Sequence, residues 1–168
     1  MISQPVPNGA NNAFVDIVSD AKSHIVQLIL WPCRWQQCHI NLHLNWQVFE
    51  FNPQTINAIP TEPGVYAFLI QPRLASNLDA SYLMYIGKTD RPLRDRYQEY
   101  LQEIMKSTGR PKIAFTLSQY YGFIYFSCAP VVNQPITPAN VEDELLKAFM
   151  PPMNDQLPAE VRRIVNAF

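Results

Sequence analysis

The sequence predicts an α/β fold of the α+β type, with a small, mainly antiparallel three-stranded sheet flanked by helices. Three runs of β-branched and aromatic residues predict the strands, and they cover 64–70, 82–87 and 123–129. The first two runs flank a polar loop, 71–81, and this order favours a hairpin. Segments with apolar residues at helical spacing fill much of the remaining chain, which indicates that helices cover the sheet.

An N-terminal extension of this core, residues 1–60, is expected to hold one helix and one strand. Residues 12–31 place apolar side chains on one helical face, and Pro32 is expected to end that helix because proline lacks the N–H that a helix interior requires. Residues 39–51 alternate apolar and polar side chains, the pattern of a half-buried strand. The remaining residues, 61–168, form the predicted second unit.

Four helices are predicted in the second unit. They cover 92–106, 112–120, 138–150 and the segment from Pro158 to the C terminus. Pro92 suits the first turn of the first of these helices, because its fixed φ matches the helix and its missing N–H is not needed there. Thr137 can cap the third helix, and Pro151 follows its end.

The charge of the chain is nearly balanced but unevenly distributed. The 168 residues carry a net charge of −1, which disfavours a protein that binds nucleic acid through its overall charge. Residues 88–112 nevertheless hold seven basic and four acidic residues, a net charge of +3, and the rest of the chain is acidic. A local positive region of this kind suits a groove that handles phosphate groups.

The cysteine count and the lengths of the apolar runs indicate the cellular compartment in which the protein is expected. Three cysteines, no N-terminal secretory pattern and no apolar run of about 20 residues favour a reduced, cytoplasmic protein. Cys33, Cys38, His39 and His43 lie close together along the chain. Two interpretations stay open for them: a zinc site, or, for the two histidines, the polar face of the predicted strand.

The most informative stretch runs from Tyr85 to Glu99 and reads YIGKTDRPLRDRYQE. A predicted strand ends at Gly87, a lysine follows it directly, and arginines lie on the next predicted helix. Two rigid elements would therefore hold a tyrosine and several cations near one another, an arrangement that suits a phosphate group. Gly64-Val65-Tyr66 lies on the other strand of the predicted hairpin.

The two tripeptides, Gly64-Val65-Tyr66 and Tyr85-Ile86-Gly87, resemble the paired motif of the GIY-YIG nuclease superfamily. That family has an arginine on the following helix and a tyrosine or histidine one turn later, and Arg96 and Tyr100 match this pair four residues apart. The family also has a helix that reads Glu-x-x-Leu-Ile, with a proline and an asparagine downstream. Residues 142–154 match that pattern.

The resemblance covers about residues 63–155 and implies a metal-dependent endonuclease, a hydrolase of phosphodiester bonds. DNA is the expected substrate, and RNA is left open. The resemblance further implies one Mg²⁺ or Mn²⁺ ion held by Glu142 and by water, since Mg²⁺ often takes only one or two carboxylates. The implied catalytic residues are Tyr66, Tyr85, Lys88, Arg96, Tyr100, Glu142 and Asn154.

These residues have roles that the chemistry of hydrolysis requires. Tyr66 would activate or orient the attacking water, and because an unperturbed tyrosine has a pKa of about 10, a base role requires a nearby cation, for which Lys88 is the candidate. A surface turn residue is the alternative interpretation of Lys88. The planar guanidinium of Arg96 would stabilise the phosphate charge, and Asn154 would brace the site through hydrogen bonds.

Two of these assignments have neighbours of the same chemical type. Arg94 lies two residues before Arg96, and we prefer Arg96 because the apolar position that the family has three residues earlier is then filled. Glu142 is followed by Asp143 and Glu144, which on an ideal helix point about 100° and 200° away from it. The spacing to the downstream leucines and asparagine favours Glu142.

Binding to nucleic acid is expected to involve further basic residues. They are Arg91, Arg94, Lys106, Arg110 and Lys112. The alternative to an enzyme is a catalytically silent, nuclease-derived module that binds nucleic acid or protein, which the low net charge favours because nonspecific affinity depends on the number of phosphates neutralised. The N-terminal extension is a candidate surface for a homodimer.

Overall fold

A computed structural model describes residues 10–38, 44–73, 80–133 and 135–167. The helices are α1 (Ala10–Ser23), α2 (Pro32–Gln37), α3 (Leu93–Lys106), α4 (Pro111–Gln119), α5 (Pro138–Phe149) and α6 (Ala159–Val165). The strands are β1 (Gln47–Glu50), β2 (Gly64–Ile70), β3 (Tyr82–Thr89) and β4 (Ile124–Pro130), and one 3₁₀ turn covers Pro53–Ala58. The predicted α+β class, a mainly antiparallel sheet flanked by helices, is confirmed.

The sheet in these ranges has four strands in the order β1-β4-β2-β3, and every neighbouring pair is antiparallel. It therefore contains one strand more than the three predicted. The additional strand, β1, comes from the N-terminal extension and pairs with β4, with Gln47 opposite Cys128. Phe51 and Ile59 also lie in the buried core, so residues on both sides of the predicted unit boundary share one core.

Helices cover both faces of the sheet. On one face, Phe68 and Phe126 of the sheet pack with Tyr97 of α3 and Leu117 of α4. On the other face, a second buried cluster joins the sheet to α5 and α6. Its members include Val65, Ala67, Ile86, Val141, Leu145 and Val161. The apolar residues of β2 thus alternate between the two faces, as the period of a strand requires.

The start of α3 is tied to the chain segment that precedes β2. The backbone N–H of Leu93 donates to the carbonyl of Glu62 at 3.0 Å, and that of Arg94 donates to the carbonyl of Pro60 at 2.9 Å. These bonds satisfy donors that a helix N-terminus otherwise leaves unpaired. Because β2 begins at Gly64, the same bonds hold the first turns of α3 beside β2.

Gly64 lies where a side chain has no room. A Cβ at this position would overlap the carbonyl oxygen of Ala129 and would lie 2.9 Å from the Cα of Pro130. Both are backbone atoms of β4, so relief would require the two strands to separate. We expect Gly64→Ala to lower the free energy of unfolding by about 1–3 kcal/mol or more, measured by urea denaturation. A cost below that of Gly87→Ala, where only side chains are approached, would contradict this prediction.

The predicted helix over 12–31 is wrong in its second half. Helix α1 ends at Ser23, and in the next stretch Val26, Ile29 and Trp31 pack against the two core clusters. The His24 ring is anchored at 2.9 Å from the hydroxyl of Tyr120. Apolar residues at helical spacing therefore reach the core from non-helical chain, because these tertiary contacts outweigh the local pattern.

Pro32 does not end α1. It begins α2, where it lies in the first turn, and there the fixed φ of proline is favourable. The predicted strand over 39–51 is also too long, because β1 covers only Gln47–Glu50, the residues that have partners in β4. The part of this prediction at 39–43 lies outside the described residues.

The other predicted elements agree with the structure to within a few residues. Among the described residues, none of the helices combines the length and the apolar character needed to cross a bilayer. Val15, Ile17 and Ile25 are exposed near the N terminus. A homodimer through this segment and a cytoplasmic location stay predictions.

Candidate active site

Tyr66 of β2 lies directly against Gly87 of β3. The two residues are partners in the antiparallel register, and the phenol ring of Tyr66 extends over the glycine. A Cβ at Gly87 would lie 2.6 Å from both Cζ and Oη of Tyr66 and 2.8 Å from Cε1 of Tyr85. The two glycine-tyrosine motifs therefore meet in space, and the missing side chain at Gly87 makes room for the ring.

Gly87→Ala is expected to displace the Tyr66 ring and to lower the free energy of unfolding by about 1–3 kcal/mol. The ring has little freedom to move, since Tyr66 is 1% exposed and stacks on Phe126. A double-mutant cycle with Tyr66→Leu checks the cause, because leucine lacks the two atoms that the new Cβ would approach. Equal destabilisation by Gly87→Ala in both backgrounds would show that the ring is not responsible.

Five side chains from three elements and one loop form a hydrogen-bonded network. Arg96 of α3 donates from Nε to the hydroxyl of Tyr66 at 3.2 Å, and the hydroxyls of Tyr66 and Tyr100 lie 3.1 Å apart. Arg110, which directly precedes α4, donates from Nη2 to the hydroxyls of Tyr100 and Tyr85, each at 2.9 Å. We call these five residues the Tyr-Arg network. It holds four of the residues predicted to be catalytic, together with Arg110, which was predicted to contact nucleic acid.

The three phenols of the Tyr-Arg network are neutral at neutral pH. Burial raises the pKa of Tyr66 to about 12 and that of Tyr85 to about 12, and for both residues a neighbouring phenol adds to the effect. Burial also raises the pKa of Tyr100 well above its ordinary value. Neutral phenols accept hydrogen bonds from the guanidinium groups and keep their own O–H protons as donors.

Arg96 is held from several sides. Its Nη1 lies 2.7 Å from a carboxylate oxygen of Glu99 and 3.5 Å from one of Glu103, and its guanidinium carbon lies 4.1 Å from the centre of the Tyr100 ring. Arg91 pairs with the same Glu99 at 2.7 Å. Two carboxylates therefore balance two guanidinium groups here, and Arg96 is fixed in one orientation.

Asn154 binds the outer edge of β3, and Glu142 lies beside that edge. Asn154 accepts a hydrogen bond from the N–H of Ile86 at 3.0 Å and donates from Nδ2 to the carbonyl of Ile86 at 2.7 Å. The half-buried carboxylate of Glu142, on α5, lies near the backbone N–H of Lys88, which favours its charged form. The segment after α5 and the side chain of Glu142 thus cover the unpaired edge of the strand that carries Tyr85 and Gly87.

The electrostatic environment of Glu142 combines burial with nearby positive charge. Burial raises the pKa of its carboxyl group, while the charges of Lys88 and Arg110 and the Lys88 N–H act in the opposite direction. Arg110 therefore interacts with Glu142 and also binds two of the tyrosines. Asp143 and Glu144, the neighbours of Glu142, pair instead with Lys147 at 2.7 and 3.2 Å.

The side chain of Lys88 does not lie beside the phenol ring of Tyr66. It is the register partner of Val65, so its side chain leaves β3 on the opposite face from the Tyr66 ring. Its Nζ lies 2.5 Å from a carboxylate oxygen of Asp90. The cation that contacts the Tyr66 hydroxyl is Arg96.

The basic residues expected to contact nucleic acid divide into two groups. Arg91, Lys106 and Lys112 are exposed, and Lys112 pairs with Asp155 at 3.0 Å. Arg94 instead donates to one backbone carbonyl within the 3₁₀ turn, at 2.9 Å, and to one directly after it, at 3.0 Å. These bonds fix the position of α3. Arg110 belongs to the Tyr-Arg network.

Arg110 is the network residue whose place the sequence did not reveal. Its distance of ten residues from Tyr100 carries no helical signal, because the intervening turn breaks the helix. The one local sign is its position between Gly109 and Pro111, since a glycine and a proline beside it mark a fixed turn at a helix start.

The acidic, histidine and cysteine side chains limit which metal ions the site could hold. Within the described ranges, no group of three or more histidine, cysteine or acidic side chains could hold an ion. A single carboxylate such as that of Glu142 suits Mg²⁺ or Mn²⁺, because these ions often bind through one carboxylate and several waters. One carboxylate does not make a zinc site. Cys33 is exposed and Cys38 contacts the carbonyl of Glu144, whereas His39 and His43 lie outside the described residues.

Comparison with known proteins gave no match. No protein-family model, no curated protein and no solved structure matches this chain.

Proposed function

We propose that this protein is a GIY-YIG-type, metal-dependent endonuclease that hydrolyses phosphodiester bonds in DNA. The observation that carries the proposal is the Tyr-Arg network, in which Arg96 and Arg110 meet three tyrosine hydroxyls beside the strand edge that Asn154 binds and near which Glu142 lies. Two guanidinium groups and a carboxylate at one location suit a phosphate group and a divalent cation.

The tyrosines of the Tyr-Arg network support the arginines in this proposal. Tyr66 and Tyr100 are almost fully buried, at 1% and 0% exposure, whereas Arg110 and the carboxylate of Glu142 reach the surface. A phosphate that approaches from solvent therefore meets the charged groups before the phenols. The phenols fix the direction of the guanidinium groups, so little freedom is lost when the phosphate binds.

Water activation by Tyr66 and Lys88 has little support from this geometry. With a pKa of about 12, roughly one Tyr66 in 10⁵ would be ionised at pH 7. Lys88 pairs with Asp90 on the other face of the sheet and supplies no charge at the phenol. We therefore propose that the neutral Tyr66 holds Arg96 in place and that the attacking water is activated elsewhere in the site.

Glu142 would hold the divalent ion. Its carboxylate lies near the Lys88 N–H, has lone pairs available for a metal ion and is partly open to solvent. When bound, the ion would lower the pKa of a water and supply positive charge to the phosphate. Asn154 keeps the edge of β3 in place through its two hydrogen bonds with Ile86.

The substrate is tested by a panel of end-labelled oligonucleotides. Double-stranded DNA, single-stranded DNA and RNA are each incubated with the full chain in Mg²⁺, in Mn²⁺ and in EDTA. We expect cleavage of DNA with either metal and none in EDTA. Cleavage of RNA alone would change the substrate class but keep the chemistry, whereas cleavage in EDTA would contradict a metal-dependent reaction.

A catalytically silent module that binds nucleic acid or protein is the second candidate. The observation that favours it is that, in the described part of the chain, no three histidine, cysteine or acidic side chains form a group that could hold a metal ion. Binding of DNA without cleavage in both metals would support this candidate and exclude the proposed enzyme.

A further inference from the structure

Arg110 differs from Arg91 and Arg96 in how its charge is balanced. Arg91 and Arg96 form ion pairs with Glu99, and Arg96 also approaches Glu103. Within the described ranges, no carboxylate forms an ion pair with Arg110. Arg110 therefore has no carboxylate in direct contact, and its charge acts on Glu142 only from beyond ion-pair distance.

Arg110 also keeps hydrogen-bond donors that the protein does not use. A guanidinium has five N–H groups, and both of those on Nη2 donate to the hydroxyls of Tyr85 and Tyr100. The N–H groups on Nε and Nη1 have no partner among the side chains and backbone that the structure describes. Arg110 as a whole residue is exposed to solvent.

The turn between α3 and α4 fixes where Arg110 lies. Ser107 and Gly109 both have positive φ, 50° and 90°, which reverses the chain after α3. A Cβ at Gly109 would lie 2.7 Å from the carboxyl carbon of Glu103, so the glycine also allows this close approach. The guanidinium carbon of Arg110 then lies 5.0 Å from the centre of the Tyr85 ring. The ring contact and the two hydrogen bonds hold the guanidinium in a single place.

We propose that Arg110 is a second phosphate-binding arginine of this site, which uses Nε and Nη1 for a phosphate oxygen while Nη2 stays on the two tyrosines. A planar guanidinium held on one side and open on the other is suited to this task, and an arginine already paired with carboxylates is less so. This inference rests on the proposed function, because the phosphate is that of the nucleic-acid backbone.

Binding of a fluorescent DNA duplex in EDTA tests the inference without cleavage. The full-length wild type, Arg110→Met and Arg110→Lys are compared by fluorescence anisotropy over a series of salt concentrations. Loss of one phosphate contact is expected to reduce the salt slope of Arg110→Met by about 1. Arg110→Lys keeps the charge and should keep the slope. Arg162→Met is the matched control, since Arg162 donates to the carbonyl of Leu157.

Footprinting of the wild-type protein gives a second measurement that does not depend on a variant's folding. Phenylglyoxal modifies accessible arginines, and mass spectrometry then compares Arg110 with Arg162 in the presence and absence of the duplex. We expect the duplex to protect Arg110 and not Arg162. Equal modification of Arg110 with and without the duplex would overturn the inference, as would an unchanged salt slope in a folded Arg110→Met.

Cleavage assays run in parallel separate this inference from the proposed function. Protection of Arg110 without cleavage in Mg²⁺ or Mn²⁺ would refute the enzyme and keep the phosphate contact. Cleavage without protection would keep the enzyme and refute the contact.

Discussion

Glu142→Gln is expected to reduce the rate of DNA cleavage at least about 10²-fold while the protein stays folded. Glutamine has nearly the same shape, but its neutral amide is a much poorer ligand for Mg²⁺ or Mn²⁺. Single-turnover cleavage at saturating metal measures the loss. Glu144→Gln, two residues later on α5, is the matched control, and it should cleave like the wild type.

Although Glu142→Gln is expected to lose activity, it is not expected to lose stability at pH 7. Burial raises the pKa of the Glu142 carboxyl group in the folded state. The folded protein therefore binds this proton more tightly than the unfolded chain, and the associated stability is lost as the pH rises through the raised pKa. At pH 7 we expect Glu142→Gln to melt at the same temperature as the wild type or higher, and this advantage should vanish in acid. A lower melting temperature at pH 7 would indicate that the carboxylate stabilises the fold.

Arg96→Lys is expected to slow cleavage on the order of 10³-fold. Lysine keeps the charge but lacks the planar fork, and it cannot reach Tyr66, Glu99 and Glu103 together as the guanidinium does. The Tyr66 hydroxyl would also lose a donor in a buried position, so the free energy of unfolding should fall by about 1–3 kcal/mol. Single-turnover kinetics and urea denaturation measure the two effects.

Arg163→Lys serves as the control for Arg96→Lys, because Arg163 lies exposed on α6 away from the Tyr-Arg network. Cleavage by the two variants is measured without urea, under conditions in which both are folded. If Arg96→Lys lost stability but cleaved DNA at the wild-type rate, Arg96 would be a structural residue only.

The elements next to the site were the ones that the sequence predicted best. The prediction for β2 matches its observed bounds of Gly64–Ile70, and α3 and α5 differ from their predictions by one residue at an end. Each has a strong local signal: a short apolar run after a glycine, or apolar periodicity that begins at a proline. Such signals do not depend on distant parts of the chain.

The elements that were predicted wrongly depend on distant partners. The length of β1 is set by its pairing with β4, more than 70 residues later in the chain. The segment that follows α1 contacts the core without forming a helix, and its apolar spacing alone could not distinguish the two conformations.

The same distinction holds within the site. Arg96 and Tyr100 are neighbours on one helix, and Tyr66 and Tyr85 lie on adjacent strands, so local spacing was sufficient to bring them together. Lys88 was misplaced because one step along a strand reverses the side to which a residue points. Arg110 could not be placed, because its position depends on the left-handed turn between two helices.

The central claim is tested most directly by the nicking of supercoiled plasmid DNA, with the wild-type protein and Glu142→Gln measured side by side in Mn²⁺ and in EDTA. We predict that the wild-type protein nicks the plasmid in Mn²⁺ and not in EDTA, and that Glu142→Gln leaves it intact in both. Equal nicking by the two proteins, or intact plasmid with a folded wild-type protein in Mn²⁺, would contradict the proposed metal-dependent site.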